Sequence, residues 1–225
     1  MIIVRQMMAG LLLVGISGGT AIGEGHPTRM VKGETAAITG AVVACGEWGA
    51  GKRIGCLTLF HGKEPKIGIY ALEASDNVMR LAAAVDRELQ RDESLKWSFV
   101  IILDEKRHRE TTSNSNVSQN SDTHTFAETQ KRFAELNALG TKYQVKSVTL
   151  GLSNRPRAMT RERLELTEAN DVLVTFLGNG YGSRTSPRPR TVLFLKRLHS
   201  KSLTAEAISD LVDQLRDVHE RLHVD

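Results

Sequence analysis

Two cysteines, a glycine-rich loop and a pair of histidines near the C-terminal end are the places where this sequence could do chemistry. Cys45 and Cys56 flank Gly46-Glu-Trp-Gly-Ala-Gly51, so a hairpin could bring them together. A structural disulfide closing that small loop would add on the order of 2–3 kcal/mol. A displaced redox pair and two buried free thiols are the alternatives; the spacing matches no Cys-x-x-Cys motif. Gly46 to Arg53 nearly fits the phosphate-cradling G-x-x-x-x-G-K-[ST] loop, but Arg53 stands where a magnesium-binding hydroxyl is needed. The residues after it, Ile54-Gly-Cys-Leu-Thr-Leu-Phe60, read as a strand and not as the helix that completes an anion site. His219-Glu-Arg-Leu-His223 fits H-E-x-x-H, which puts two imidazoles on one helix face. The usual third ligand lies downstream, and the sequence given supplies none there. Histidine also suits a helix C-terminus electrostatically, so His219 and His223 are weak metal candidates. No cofactor is expected.

The elements that would have to position such groups can be read from the apolar pattern. Lys66 to Leu72 is a strand, Asp76 to Arg91 an amphipathic helix, and Trp97 to Leu103 a strand with no polar alternation. Such a strand must be covered on both faces, which places this βαβ unit at the centre of an α/β sheet. Before it, Ile38 to Ala44 and Arg53 to Phe60 suggest a hairpin laid against the main sheet. Ser75 or Asp76 can cap the helix, whose stripe is Val78, Leu81, Ala82, Val85 and Leu89. Arg80, Arg87, Glu88 and Arg91 read as its solvated face.

Residues 105–124 are polar throughout and are expected to be an insertion without a core. Asn116-Val-Ser118 within it is a glycosylation sequon. Thr125 and Glu128 form a capping box for a helix bearing Phe126, Phe133, Ala134 and Leu139, with Gly140 as its stop. A strand is expected over Val145 to Leu152, a short helix over Met159 to Glu168, and a buried strand over Asp171 to Leu177. Thr191 to Leu195 is its hairpin partner. A last helix starts at Thr204 and buries Ile208, Leu211, Val212, Leu215 and Leu222, with Leu203 and Ile208 as a staple.

Length and charge narrow the class. At 225 residues the chain can bury one sizeable core, and its composition is that of an ordinary globular protein. A formal charge of +4 is small for a nucleic-acid binder, so nucleic acid is not an expected partner. Arg155, Arg157, Arg161 and Arg163, with Arg184, Arg188 and Arg190, make two basic loops. Solvated loop charge is the simpler reading; contact with an anionic envelope surface or envelope protein is the alternative.

At the N-terminus, Arg5 precedes Met7 to Ile16 and a small-residue exit, the layout of a secretory signal peptide ending near Gly23. The run is short for a membrane span, and an uncleaved anchor is the alternative. The chain thus divides into a signal peptide at 1–23, an extension with hairpin at 24–52 and the main domain at 53–225. Export, to the periplasm or beyond, puts the cysteines in an oxidising compartment.

The segments Cys56 to Ala71, Asp76 to Arg91, Trp97 to Asp104 and Ala169 to Phe176 resemble the thioredoxin-like superfamily, in particular small secreted bacterial thioredoxin-like domain proteins of unassigned role. The resemblance implies a mixed sheet flanked by helices with an N-terminal β-hairpin. It also implies a working corner where the first core strand enters its helix, here Glu73-Ala-Ser-Asp76. That corner normally carries a reactive cysteine, and a cis-proline normally precedes the penultimate strand. Here the corner has no cysteine, and Ala169-Asn-Asp171 has no proline. The expectation is an exported binding or structural module, with a thiol-disulfide oxidoreductase using Cys45 and Cys56 as the rival.

Overall fold

The computed structural model describes residues 30–34, 41–45, 53–54, 64–92, 95, 98–103, 126–153, 157–178, 182–183, 186–187 and 190–222. The chain order is β1 (Ala41–Cys45), β2 (Arg53–Ile54), β3 (Lys66–Ala71), α1 (Asp76–Arg91), β4 (Phe99–Ile102), α2 (Phe126–Lys142), β5 (Thr149–Ser153), α3 (Arg157–Leu164), β6 (Val172–Leu177), β7 (Gly182–Ser183), β8 (Ser186–Pro187), β9 (Val192–Leu198) and α4 (Ala205–Arg221). Seven strands form one sheet in the order β2-β1-β5-β4-β3-β6-β9, and β7 and β8 form a small separate ribbon. β3, β4 and β5 are parallel; β6 runs against β3 and β9 against β6, and β1 runs against β5 and β2.

The expected central βαβ unit is therefore β3-α1-β4, and β6, β9 and α4 complete the core. The fold is thioredoxin-like. β3, β4 and β6 are buried at every residue, because helices or chain cover both faces. On the first face Ile67, Ile69, Val100, Leu150, Val174 and Phe176 meet α1, α2 and α4. On the second, Tyr70, Leu72, Phe99, Ile101 and Leu173 meet Leu164 and Leu166 at the end of α3, together with Met30 from the N-terminal segment. Both parallel crossovers step in the same direction along the sheet, so α1 and α2 share a face.

Gly68 is required by close approach. A Cβ there would lie 2.8 Å from Thr175 Oγ1 and 2.9 Å from the Phe99 ring, and Thr175 Oγ1 donates to the Gly68 carbonyl (3.1 Å).

β9 runs on to Leu198, past the expected Leu195, and three further boundaries differ from the sequence pattern for a physical reason. β5 starts at Thr149 and not at Val145, although Val145 and Val148 are buried. The amides of Lys146, Ser147 and Val148 all donate to Asp86 Oδ1 (3.1, 2.6 and 2.7 Å), so they turn toward α1 and leave the ladder. α2 runs past Gly140 to Lys142. It stops because Gln144 adopts φ 58° while the Val145 and Gln144 amides bond back to the Gly140 and Thr141 carbonyls (2.9 and 3.1 Å). α3 ends in the same way around Glu165, φ 51°, with Leu166 and Glu165 bonding back to Arg161 and Glu162. Both are Schellman stops built without glycine.

The proposed capping box at Thr125 and Glu128 and the polar stretch 105–124 lie outside the described residues or side chains. Among the described residues of α2, Leu136 and Gly140 are buried, with Phe133 and Leu139 packed partly against the core.

Candidate functional site

The corner that the fold would use lies at the C-terminal end of β3. Leu72 leaves the sheet there, its amide still paired to the Asp171 carbonyl at 3.0 Å. Ser75, in extended conformation, caps α1: its Oγ accepts from the Val78 amide at 3.3 Å. Ala74 packs against the first-face core, while Glu73 and Asp76 are exposed. Asp76 reaches Lys142 Nζ at 3.3 Å. A hydrogen bond from Tyr143, then Lys142 with its charge, holds the Asp76 carboxyl below its ordinary value. Lys142 is correspondingly raised, by Tyr143 first and Asp76 second.

The position before β6, where the resemblance implies a proline, is Asp171. Its two oxygens take the Ser200 amide (2.5 Å) and the Ser200 hydroxyl (2.6 Å). Asn77 of α1 donates to the Ser200 carbonyl at 3.0 Å. His199 lies 3.6 Å from Asp171, and its Nδ1 accepts from the Lys201 amide at 3.1 Å. The turn His199–Ser202 therefore stitches together the start of α1, the start of β6 and the approach to α4.

This arrangement holds no thiol. Ser200 Oγ donates to the Asp171 carboxylate and not to an imidazole, and His199 Nδ1 is engaged by the Lys201 amide. A serine-to-histidine proton relay is not assembled. The corner is polar, capped and internally bonded. The sequence pattern placed Leu72–Asn77 and Ala169–Asp171 here but gave His199 no role and did not single out Ser200. A serine-rich run just before a capped helix was the one available signal.

The other candidates lie elsewhere. Cys56 and the side chain of Cys45 lie outside the described residues, and so does the glycine-rich loop between them. The described part of the hairpin pairs Ala41 with Ile54 and Val42 with Arg53. In that antiparallel register the chain leaves Ile54 heading away from Cys45, which sits four residues along β1, about 13 Å at strand rise.

His219 is buried in the last turn of α4, tilted against Phe176 with ring centroids 5.9 Å apart. Its Nδ1 is 3.3 Å from Asp92 Oδ2, the C-cap of α1. His223 lies outside the described residues. Among the described residues no three His, Cys, Asp or Glu side chains group as metal ligands. Beside His219, a cleft of about 250 Å³ lies between the C-terminal ends of α1 and α4. Its floor is Val85, Leu95, Val212 and Leu215, at the far end of β3 from the corner. Glu88 on its rim pairs with Arg216 (3.0 Å) and Arg91 (2.9 Å), so Glu88 belongs to the α1–α4 contact and not to a solvated face.

The basic loops are also less free than their sequence suggests. Arg190 is 1% exposed and donates to the Gly178 and Glu64 carbonyls. Burial pulls its guanidinium down to about 10, with nearby Glu64 opposing. Arg161 Nε donates to the Leu166 carbonyl at 2.9 Å. Arg155, Arg184 and Arg188 lie outside the described residues, as does the side chain of Arg157. No described helix is long and apolar enough to cross a membrane.

Neither a family model nor a curated protein matches this chain. Among solved structures it is similar to a peroxiredoxin-like protein from Aquifex aeolicus, at 12% identity over 84% of this chain and 88% of that one, with a TM-score of 0.43. A likeness at that level says nothing about chemistry.

Proposed function

We propose that this chain is an exported thioredoxin-fold module that works by binding, with no redox chemistry at the corner its fold would normally use. The observation that carries the reading is the corner itself. Leu72–Asp76 supplies no thiol, and Asp171, Ser200 and Asn77 spend their polar groups on one another. A helix N-terminus activates a thiol by favouring its thiolate, and here it caps on Ser75 instead. The partner is an envelope protein or an anionic surface, and export rests on the basic, apolar and small-residue layout before Glu24.

The deciding experiment is insulin reduction with dithiothreitol, run beside peroxide consumption and a thiol count on denatured, unreduced protein. Both rates should equal the protein-free background. A rate above background that Cys45→Ser or Cys56→Ser abolishes would replace this reading with a dithiol oxidoreductase. Cell fractionation with N-terminal mass analysis checks export. The expected mature start is near Glu24, whereas a chain retaining Met1 in the membrane fraction would make it an anchored protein.

A further inference from the structure

We propose that the cleft between the C-terminal ends of α1 and α4 binds a small organic cation, an ammonium group carried on a compact apolar body. The cleft measures about 250 Å³. Drug-sized ligands occupy pockets of roughly 300–1,000 Å³, so this one suits a smaller molecule. Its floor is aliphatic: Ile67 from β3, Val85 from α1, Leu95 after α1, and Val212 and Leu215 from α4. These side chains offer no polar atom, so they select hydrocarbon by the water it sheds. His219, its side chain 8% exposed, adds an imidazole to the lining.

The sign of the head group follows from the rim. Two helices end here, and each presents the negative end of its macrodipole, which favours a cation over an anion. Carboxylates stand at both ends and add to that field: Asp92 is the C-cap of α1, and Glu220 lies in the last turn of α4. Asp92 is 43% exposed at its side chain. Glu220 is exposed, and its carboxylate makes no ion pair or hydrogen bond among the described residues. The rim arginines do not reverse the sign. Arg91 and Arg216 both hold the Glu88 carboxylate, at 2.9 and 3.0 Å, and Arg216 also holds Asp213 at 2.9 Å. An incoming anion must displace Glu88 from them, whereas a cation meets Asp92 and Glu220 directly. With His219 neutral, the lining carries three carboxylates against two guanidiniums, a net charge of −1.

The cleft lies at the far end of β3 from the corner, so it stands or falls apart from the chemistry there. The test titrates 2-phenylethylammonium into the purified protein and follows backbone amide NMR shifts. 2-Phenylethanol and 3-phenylpropionate serve as neutral and anionic counterparts of similar size. The ammonium should shift the amides of Asp92, Leu95, Leu215 and His219 saturably. It should bind about tenfold more tightly than either counterpart, the combined effect of two exposed carboxylates and two helix ends. Glu220→Gln, an exposed change that leaves the floor intact, should weaken binding about threefold. Added salt should weaken it too, because these charges are screened. Val212→Phe fills the floor and should abolish it. Should that variant fail to fold, the comparison of probes on the unaltered chain and Glu220→Gln decide. Absence of saturable shifts at the cleft, equal binding of the three probes, tighter binding of the carboxylate, or binding indifferent to both Glu220→Gln and salt overturns the proposal.

Discussion

At the scale of single residues, Asp86 does the most that its type would not suggest. It is a charged residue on a helix, 1% exposed, and one oxygen accepts three consecutive backbone amides while the other takes Gln90 at 2.8 Å. A buried carboxylate is tolerated when it is this fully bonded. Asp86→Ala strands three donors next to α1 and should cost on the order of 3 kcal/mol. Asp86→Asn keeps one carbonyl oxygen and should cost roughly half as much. Urea denaturation would show this as a lower midpoint at unchanged slope; equal stability of both variants and the parent would refute the role. Asp76 is the contrasting carboxylate, fully exposed. Its folded pKa is depressed, so its contribution is present above the unfolded value of 3.8 and is lost as pH falls through the lower folded one. Asp76→Asn should therefore differ from the parent above about pH 4 and converge with it in stronger acid. A carboxyl-carbon NMR titration reads the shift directly, and a midpoint at or above the ordinary aspartate value would contradict it. His219 shows the same limit of type-based reading: its pattern suggested a zinc ligand, and its surroundings make it the partner of Asp92 under α4.

At the scale of elements, the apolar runs were legible and the stops were not. β3, β4, β6, α1 and α4 fall where the hydrophobic period places them, because burial on one stripe or both faces is written in residue type. The ends depend on hydrogen bonds that residue type does not announce. Gly140 looks like the stop of α2, yet Gln144 makes it, and Glu165 makes the stop of α3. A side chain in left-handed backbone costs about 1–2 kcal/mol, part of which glycine returns through its greater freedom in the unfolded chain. Gln144→Gly should accordingly raise stability by roughly 0.5–1 kcal/mol. A thermal melt that moves upward checks this; a drop would mean that the Gln144 side chain contributes more than its backbone conformation costs. Glu165 is a poorer choice for the same change, because it also holds Arg197 at 2.6 Å.

At the scale of the whole molecule, chain order was readable while spatial adjacency was only partly so. The expected sequence of hairpin, βαβ, helix, strand, short helix, hairpin and closing helix is observed, since each piece carries its own period. Which segment seals the second face is another matter. Met30 lies in the N-terminal extension, and a lone Met30-Val31 pair between Arg29 and Lys32 gives no period to detect. Its burial follows from a long-range fit to Leu164, Tyr70 and Leu173 that exists only once the sheet is assembled. Tolerance to truncation should therefore have a sharp boundary. Residues 24–29 precede Met30, the first buried side chain among the described residues, so a chain starting at Met30 should melt with one starting at Glu24. Starting at Thr35 removes Met30, three backbone hydrogen bonds that residues 30–34 make to the rest of the fold and the Arg197 bond to the Met30 carbonyl. Loss of a buried methionine costs about 2–5 kcal/mol. At roughly 2–4 °C per kcal/mol for a chain of this size, the melting temperature should fall by about 10 °C. The second-face core would then be open to water at Leu164 and Leu173, so hydrogen exchange should quicken along β9 and the end of α3 while α1 and α4 stay protected. Uniform loss across both faces would mean that residues 30–34 support the whole sheet, and no loss at all would remove them from the fold.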